Sequence, residues 1–304
     1  MREPTLRAVL RASARRLAAA KISFGHGTTN AQDEAAWLTL HALGLAFEDL
    51  AANLDRKLGA RERARVAALV DERIRTRKPA AYVTHEAWLG EHRFYVDERA
   101  LVPRSFIAEI LREDLAPWIA RPRAVRTALD LCTGSGCLAI LLALSFRNAR
   151  VDGADLSTDA LEVARVNVAR YRLGRRVRVV KSDLYDALDR RHYDVIVSNP
   201  PYVTAAAMRR LPAEYRREPP LALAGGRDGL ALVRRIVDQA PEHLQPRGLL
   251  VVEVGHARAR IEAAYPRMPF VWAETSGGDD NVLLITREAL LAGRVRPARS
   301  RRAR

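Results

Sequence analysis

The stretch Asp194-Val-Ile-Val-Ser-Asn-Pro-Pro-Tyr-Val203 decides the fold that this sequence predicts. Its first part, Asp194–Val197, is mostly β-branched and apolar, which predicts a strand. The strand ends at Asn199-Pro-Pro-Tyr202, because two consecutive prolines remove two backbone donors and restrict φ at both positions. The residue before a proline is also kept out of the helical region, so Asn199 is expected in a rigid, extended exit from the strand. In open α/β sheets this end of the strands binds ligands.

A glycine-rich loop follows another predicted strand further upstream. Residues 127–131 predict a buried strand, which is followed by Cys132-Thr-Gly-Ser-Gly-Cys137 and by a helix that opens at Leu138. Glycines at such a position let the backbone approach a ligand closely at a helix N-terminus. A Gly-x-Gly loop alone is a weak signal, so the ends of the neighbouring strands are needed to interpret it.

Two further predicted strands end in aspartates. The strand over 150–154 leads to Asp155, about 20 residues beyond the glycine loop, where a carboxylate can accept hydrogen bonds from two ribose hydroxyls. The strand over 177–180 leads to Asp183, which can accept a hydrogen bond from an adenine amino group. A Rossmann dehydrogenase would explain only the glycine loop and Asp155. It leaves Asp183 and the Asn-Pro-Pro-Tyr exit unexplained.

Apolar periodicity predicts the remaining elements. Asn30 is expected to cap the second N-terminal helix, and a hairpin is expected to turn near Gly90. The predicted elements are helices over 6–17, 31–43, 60–75, 107–118 and 229–240, a hairpin over 86–96, and strands over 249–254 and 282–286. These elements indicate four parts: a helical partner-recognition domain (1–78), a β-hairpin linker (79–104), an α/β domain (105–290) and a basic, disordered tail (291–304).

Composition limits the class of protein. The chain has 304 residues, 48% of them apolar, which is enough for a sizeable core. No apolar run approaches the length needed to span a bilayer, so a cytoplasmic location without membrane contact is expected. The two cysteines, Cys132 and Cys137, exclude a disulfide framework, and the seven scattered histidines show no ligand spacing. No metal is therefore expected.

The net charge of +15 supports two interpretations of equal weight. A strongly basic protein is suited to work near RNA, through an incidental contact of its basic surface. The same charge also fits a chain in which genomic base composition favours arginine and alanine. The arginines are spread over the whole sequence, with one cluster over 294–304.

Taken together, the strand ends resemble the class I S-adenosylmethionine-dependent methyltransferases. That fold has a Rossmann-like, mostly parallel, seven-stranded sheet with an antiparallel last strand. More specifically, the chain resembles the protein glutamine methyltransferases, which methylate a glutamine side-chain amide in release factors or in a ribosomal protein. The resemblance covers about residues 5–286 and rests on Leu101-Val-Pro-Arg104, Leu129-Asp-Leu-Cys-Thr-Gly-Ser-Gly136, Ser198-Asn-Pro-Pro-Tyr202, Glu218-Pro-Pro-Leu-Ala-Leu-Ala-Gly-Gly226 and Asp228-Gly-Leu230.

Two stretches favour the branch of this family that modifies the third protein of the large ribosomal subunit. They are Phe24-Gly-His-Gly-Thr28 with Asn30, and Tyr95–Ser105. Phe106 and His85 stand where the family pattern has a proline and a glycine. The ribosomal protein is expected to be methylated as the free chain or in an early assembly intermediate.

The resemblance implies S-adenosylmethionine as the cofactor and a specific acceptor site. The Asn199 side chain and the Pro200 carbonyl would each accept one N–H of the glutamine amide, and Tyr202 would pack against its flat face. No strong general base is needed, because the proton can leave to water; Glu253 is expected to be structural. The substrate-binding residues are expected to be Asn199, Pro200, Pro201 and Tyr202, and the cofactor-binding residues Arg104, Asp130, Cys132, Thr133, Gly134, Ser135, Gly136, Asp155, Leu156, Asp183, Leu184 and Asn199.

Three other functions are weighed against this one. A release-factor glutamine methyltransferase is the first alternative, but that branch usually has Pro-Arg-Pro-Glu-Thr-Glu where this chain continues after Pro103-Arg104 with Ser105-Phe106. A nucleic-acid methyltransferase acting on an exocyclic base nitrogen would share Asn-Pro-Pro-Tyr, but only 6% of the residues are aromatic and no stacking platform is evident. A non-enzymatic assembly factor would be expected to have lost the glycine loop or Asn199, and both are present.

Overall fold

The chain is described from a computed structural model, which covers residues 3–188 and 191–294. It forms two compact units, the first containing the residues up to Arg104 together with Arg210–Pro220, and the second containing Ser105–Arg209 and the residues from Leu221 onward. The segment Arg210–Pro220 lies in the range predicted for the α/β domain, yet it packs with the first unit. No helix within the described residues is long and apolar enough to cross a bilayer.

The first unit is a small helical bundle followed by a hairpin. Apolar side chains of its longer helices, among them Leu17, Leu38 and Val70, form the core. The three predicted N-terminal helices and the hairpin are confirmed. The elements are α1 Leu6–Ala19, α2 Ala31–Leu43, α3 Leu50–Asn53, α4 Ala60–Thr76, α5 Ala80–Thr84, β1 Ala87–Leu89 and β2 His92–Phe94, with 3₁₀ turns at Phe47–Asp49 and Tyr215–Arg217.

Local sequence explains where these helices begin and end. The Asn30 side chain accepts a hydrogen bond from the Asp33 N–H at 2.9 Å, which confirms the predicted cap of α2. Helix α5 ends at Thr84, and its C-terminal cap His85 has φ of 54°, in the left-handed region that favours glycine. The family pattern that the sequence resembles has glycine at this position, so His85 keeps the backbone conformation although it is strained for a residue with a side chain.

A buried carboxylate holds Arg210–Pro220 in the first unit. Glu214 accepts a hydrogen bond from Arg77 Nη1 at 3.0 Å, and Arg73 Nη1 lies 3.8 Å from the same oxygen. Arg73 is itself fully buried and donates to Glu34 at 2.8 Å. Removing one partner of such a buried pair leaves an uncompensated charge, so these contacts tie the segment to α4 and to the residue that follows it.

The second unit is an α/β domain. Its elements are α6 Ile107–Leu111, β3 Thr127–Leu131, α7 Cys137–Ser145, β4 Arg150–Asp155, α8 Thr158–Arg170, β5 Val177–Lys181, β6 Tyr193–Ser198, α9 Ala205–Met208, α10 Ala231–His243, β7 Leu244–Glu253, α11 Arg258–Ala264, β8 Val271–Thr275, β9 Gly278–Thr286 and α12 Arg287–Arg294. Short 3₁₀ turns lie at Pro122–Ala124 and Pro220–Ala222.

Seven described strands form one sheet in the order β5-β4-β3-β6-β7-β9-β8. The first five are parallel to their neighbours, and β9 is antiparallel to both β7 and β8. This confirms the predicted class I methyltransferase fold, a mostly parallel sheet whose last strand runs antiparallel. A core cluster packs residues from β3, β6 and β7 with residues from α10, among them Leu131, Ile196, Ile236 and Leu250.

Three predictions about elements need correction. The helix predicted over 107–118 ends at Leu111, because Asp114 and Leu115 take left-handed backbone conformations (φ 52° and 60°). Strand β8 was not predicted; it lies at the edge of the sheet and its first residue, Val271, is 47% exposed, so its apolar pattern is weak. The predicted tail begins too early, since residues 291–294 belong to α12; residues 295–304 lie outside the described part.

Candidate active site

Several strand ends meet at one edge of the sheet. Leu131, the last residue of β3, pairs with Ala154 of β4 on one side and with Ser198 of β6 on the other. The order of the strands reverses at β3, which is where open α/β sheets bind ligands. Because the strands are parallel and in register, the residues that follow these pairs lie side by side at this edge: Cys132, Asp155 and Asn199.

The glycine loop is held by hydrogen bonds on both sides. The Gly134 N–H donates to Asp155 Oδ2 at 2.8 Å, and the Ser135 carbonyl accepts from Asn167 Nδ2 at 2.9 Å. At Gly136 a Cβ would come within 3.0 Å of atoms of α8, so a side chain there would push the helix away. At Gly134 a Cβ would meet nothing within 4 Å. The loop therefore borders open space at the point where its backbone is expected to contact a ligand.

Asp130 lies buried beneath this loop. Its Oδ2 accepts hydrogen bonds from the Thr133 hydroxyl and from the Ala139 N–H in the first turn of α7, the latter at 2.9 Å. Its Oδ1 is buried and has no hydrogen-bond partner among the described residues. Burial raises the pKa of Asp130 to about 7. Burial also raises the pKa of the neighbouring Cys132 thiol, which therefore stays neutral and is no nucleophile.

Asp155 links the glycine loop to the start of α8. Its second oxygen, Oδ1, accepts the Ser157 N–H at 2.9 Å, so each carboxylate oxygen takes one backbone donor. Burial raises the pKa of Asp155. A carboxylate oxygen has two lone-pair sites, so both can accept a further hydrogen bond. Leu156, the next residue, is 48% exposed although it is apolar, which fits a side chain that packs against a ligand.

Asp183 lies beyond the end of the neighbouring strand. Strand β5 pairs with β4 so that Lys181 is opposite Asp155, which brings Asp183 to the same edge of the sheet. Asp183 Oδ1 accepts from Arg235 Nη1 at 2.9 Å, a contact that sequence reasoning did not foresee. Leu184 follows, buried and with a left-handed φ of 52°. The role of both residues toward a cofactor remains a prediction.

The Asn-Pro-Pro-Tyr exit is fixed by a second segment of chain. The Val203 N–H donates to the Leu223 carbonyl and the Gly225 N–H donates to the Val203 carbonyl, both at 2.9 Å. Pro200 and Pro201 are buried, and Asn199 is half-buried at the end of β6. The exit is therefore a rigid, short strand-like segment, as two prolines in succession predict.

Three glycines enclose Tyr202. A Cβ on Gly225 would lie 2.6 Å from the Tyr202 Cα, and one on Gly229 would lie 2.5 Å from its carbonyl oxygen. A Cβ on Gly255 would lie 2.9 Å from the Tyr202 ring. Gly225 belongs to one of the motifs on which the family resemblance rests, whereas Gly255 was missed, because only the fold brings the end of β7 to this ring.

Comparison with known proteins identifies the family. Residues 109–213 match the family model of the methyltransferase small domain, and residues 8–84 match that of the PrmC N-terminal domain. The ribosomal protein uL3 glutamine methyltransferase of Bordetella pertussis is 54% identical over 286 residues, 94% of this chain and 96% of that protein. The chain belongs to the ribosomal protein uL3 glutamine methyltransferase family. The protein of the same name from Neisseria meningitidis serogroup B is 52% identical over 287 residues, 94% of each chain.

Membership of this family confirms the predicted resemblance, the enzyme class and S-adenosylmethionine as the methyl donor. Among solved structures, the hMettl16 catalytic domain in complex with the MAT2A 3′UTR hairpin 1 aligns with a TM-score of 0.50 and 16% identity, over 81% of this chain and 90% of that chain. At this identity the likeness supports the fold and nothing more specific.

Phe106 departs from the family pattern in a way that the structure explains. Its N–H donates to Glu253 Oε2 at 2.9 Å, and the Ser105 hydroxyl donates to the same oxygen at 2.6 Å. A proline at 106 could not make the first bond. The Phe106 ring packs on Gly277, where a Cβ would come within 2.3 Å of it. Glu253 thus has the structural hydrogen bonds that the sequence predicted for it.

Arg104, predicted to approach the cofactor, is engaged within the first unit. Its two terminal nitrogens donate to Glu218 Oε1 and Oε2 at 2.6 and 2.7 Å, and His26 Nε2 lies 3.3 Å from Oε2. Burial alone would raise the pKa of Glu218, but His26 and Arg104 beside it outweigh burial and lower that pKa to about 2. A cofactor role for Arg104 remains a prediction; in the structure Arg104 pairs with Glu218.

Gly255 offers a test of how closely Tyr202 is positioned. Gly255→Ala is expected to lower kcat/KM about tenfold and to destabilise the second unit by about 1–3 kcal/mol, because φ of 55° is strained for alanine and the new Cβ displaces the Tyr202 ring. Steady-state kinetics and thermal unfolding would measure both. The matched control is Gly174→Ala, where a Cβ meets nothing within 4 Å; equal effects of the two variants would refute the positioning argument.

Proposed function

We propose that this enzyme transfers a methyl group from S-adenosylmethionine to the side-chain amide nitrogen of a glutamine in ribosomal protein uL3, the third protein of the large subunit. The substrate is inferred from relatives that are 50–54% identical and bear that activity in their name. The observation that carries the chemistry is Asn199, which leaves β6 directly beside the glycine loop after β3. We place this reaction in the cytoplasm, where ribosomal proteins are made.

The residues at the sheet edge fit the cofactor. Gly134 borders open space, Asp155 keeps acceptor capacity for ribose hydroxyls, and Asp130 Oδ1 is a buried acceptor without a partner among the described residues. When bound, S-adenosylmethionine supplies an electrophilic methyl group on a sulfonium sulfur. We assign the glycine loop and Asp155 to holding it, with Leu156 and Asp183 on the adenosine side.

Asn199 and Pro200 would act on the acceptor. A carboxamide nitrogen is a poor nucleophile, because its lone pair is delocalised into the carbonyl. Two acceptors, the Asn199 side-chain oxygen and the Pro200 carbonyl, would each take one N–H and hold the nitrogen face toward the methyl group. Positioning of this kind lowers barriers by roughly 7–11 kcal/mol in favourable intramolecular cases. The same acceptors stabilise positive charge that develops on the nitrogen, and the proton then leaves to water.

Asp155 is expected to be needed for cofactor affinity. Asp155→Ala should raise the dissociation constant of S-adenosylmethionine by at least about tenfold, since one hydrogen bond to a charged acceptor contributes about 1.5–3 kcal/mol. Calorimetric titration would measure it. Asp155→Asn keeps one acceptor oxygen and should lose less affinity for S-adenosylmethionine. An unchanged affinity in both variants would remove Asp155 from the cofactor site.

We propose that uL3 is methylated as the free protein or in an early assembly intermediate. The target glutamine must lie on an accessible loop of uL3 in order to reach Asn199, and that loop must be clear of RNA. Purified mature large subunits are therefore expected to accept no methyl group under conditions in which free uL3 is methylated. Efficient labelling of mature subunits would contradict this expectation.

Removing residues 295–304, which leaves α12 intact, should change the salt dependence of the methylation rate more than its maximum.

The proposed function is tested with labelled S-adenosylmethionine. The purified enzyme is incubated with lysate from cells that lack its gene, and the labelled macromolecule is identified. Label in uL3 supports the proposal, and the modified position should be a glutamine. Label in release factors would favour the related branch, and label in RNA would favour the nucleic-acid alternative.

A further inference from the structure

The first unit contains a large surface cavity that the methyl-transfer chemistry does not use. It has a volume of about 1090 Å³ and lies between α2, the turn at Phe47–Asp49 and the β1–β2 hairpin. Apolar side chains form much of its lining: Trp37, Leu40, Leu45, Phe47 and Trp88. A cavity of this size can receive several residues of another chain.

Two aromatic residues at this cavity are exposed to solvent. Phe47 is 72% exposed and Trp88 is 53% exposed, and both line the cavity. Exposed aromatic side chains grouped at one concave surface mark interaction sites, and tryptophan in particular contributes strongly to binding. The indole N–H of Trp37, also in the lining, is buried and has no hydrogen-bond partner among the described residues. It is a donor for which a bound chain can supply a carbonyl.

The cavity is acidic in an otherwise basic protein. Its lining contains four carboxylates, Asp33, Glu48, Glu86 and Glu91, and one guanidinium, that of Arg93. Arg93 is already paired with Glu86 at 3.0 Å, and His41 Nδ1 lies 3.1 Å from the other oxygen of Glu86. The remaining carboxylates give the cavity negative charge, whereas the whole chain carries +15.

We propose that this cavity is the docking site for a lysine- or arginine-rich segment of the protein substrate that also carries an apolar side chain. This inference rests on the proposed function, because uL3 is expected to be basic. The apolar side chain enters between Phe47 and Trp88, and the cationic groups pair with Glu48 and Glu91 or lie over the Trp88 ring. RNA is disfavoured, since its phosphates would face the same carboxylates. The site also offsets the general repulsion that two basic proteins have at low salt.

The first test removes the aromatic side chains one at a time. Trp88→Ala and Phe47→Ala are each expected to raise KM for purified, free uL3 about 10- to 30-fold, while the dissociation constant of S-adenosylmethionine stays within twofold. The matched control is Val271→Ala, which truncates an apolar side chain that is 47% exposed in the second unit. The proposal is refuted if KM for uL3 stays within twofold of wild type in both aromatic variants.

The second test reverses charge. Glu48→Lys combined with Glu91→Lys is expected to raise KM for uL3 at least tenfold at 50 mM salt, and the effect should shrink at 500 mM salt because screening shortens the range of the interaction. Glu113→Lys, an exposed carboxylate of the second unit, is the single-charge control. An effect equal to that of the control, or one that does not depend on salt, overturns the assignment of a basic partner.

Other occupants have their own signatures. If Trp88→Ala weakens binding of a ribosomal RNA fragment but not of uL3, the cavity binds RNA and the proposal is wrong. If it changes the oligomeric state of the enzyme with KM unaltered, the occupant is a second copy of this chain, which also refutes the proposal. A wild-type enzyme that methylates no uL3 at all would refute the proposed function instead, so the two failures are distinguishable.

Discussion

Replacing Asn199 by alanine is expected to lower kcat for methyl transfer by about 10²–10³-fold. The Asn199 side chain is the acceptor that would hold the substrate amide and stabilise charge on its nitrogen, and removal of one such preorganised group in other enzymes costs a factor of this size. The dissociation constant of S-adenosylmethionine should stay within about twofold. Single-turnover kinetics on uL3 and calorimetric titration of the cofactor would separate the two quantities.

The matched control for this variant is Asn148→Ala. Asn148 is an exposed amide side chain of the same unit, which donates to the Arg123 carbonyl at 2.9 Å. Asn148→Ala should leave both kcat and the dissociation constant of S-adenosylmethionine unchanged. Near-normal turnover of Asn199→Ala would show that the acceptor amide is positioned by other groups. A large loss of cofactor affinity would instead show that Asn199, also expected among the cofactor-binding residues, acts mainly on the cofactor.

Replacing Glu218 by alanine is expected to destabilise the first unit by about 3–5 kcal/mol at pH 7. The Glu218 carboxylate is buried and paired with Arg104. Its removal takes this partner away from the half-buried Arg104 guanidinium. Hydrogen exchange of the amides of α1 and α4 would measure the free energy of opening. Asp55→Asn, which breaks an exposed pair with Arg7, should cost less than about 1 kcal/mol.

The effect of Glu218→Ala should depend on pH in a defined direction. The pKa of Glu218 is about 2 in the folded chain and near its ordinary value of 4.5 when the chain is unfolded. Its ionised form therefore contributes stability above about pH 4.5, and this contribution is lost as the pH falls toward 2. The difference in stability between wild type and variant should shrink over that interval. A difference that is the same at pH 7 and pH 3 would contradict the assignment.

The sequence by itself determined the elements whose causes are local. The β-branched run before Asn199 predicts strand β6, the two prolines predict its rigid exit, and Asn30 predicts the start of α2. Each of these depends on the steric preferences or hydrogen bonds of residues close together in the chain. The glycine loop and the aspartates follow predicted strands directly in the chain, so their place at strand ends is local information as well.

Only the tertiary structure decided which distant residues meet. The pairing of Arg104 with Glu218, the enclosure of Tyr202 by Gly255, and the acidic cavity around Phe47 and Trp88 each join segments far apart in the sequence. Such contacts depend on strand register and on the packing of whole elements, which no local pattern encodes. The same holds for net charge, because a total of +15 does not show that one concave surface is negative. Only the fold distributes the charges in space.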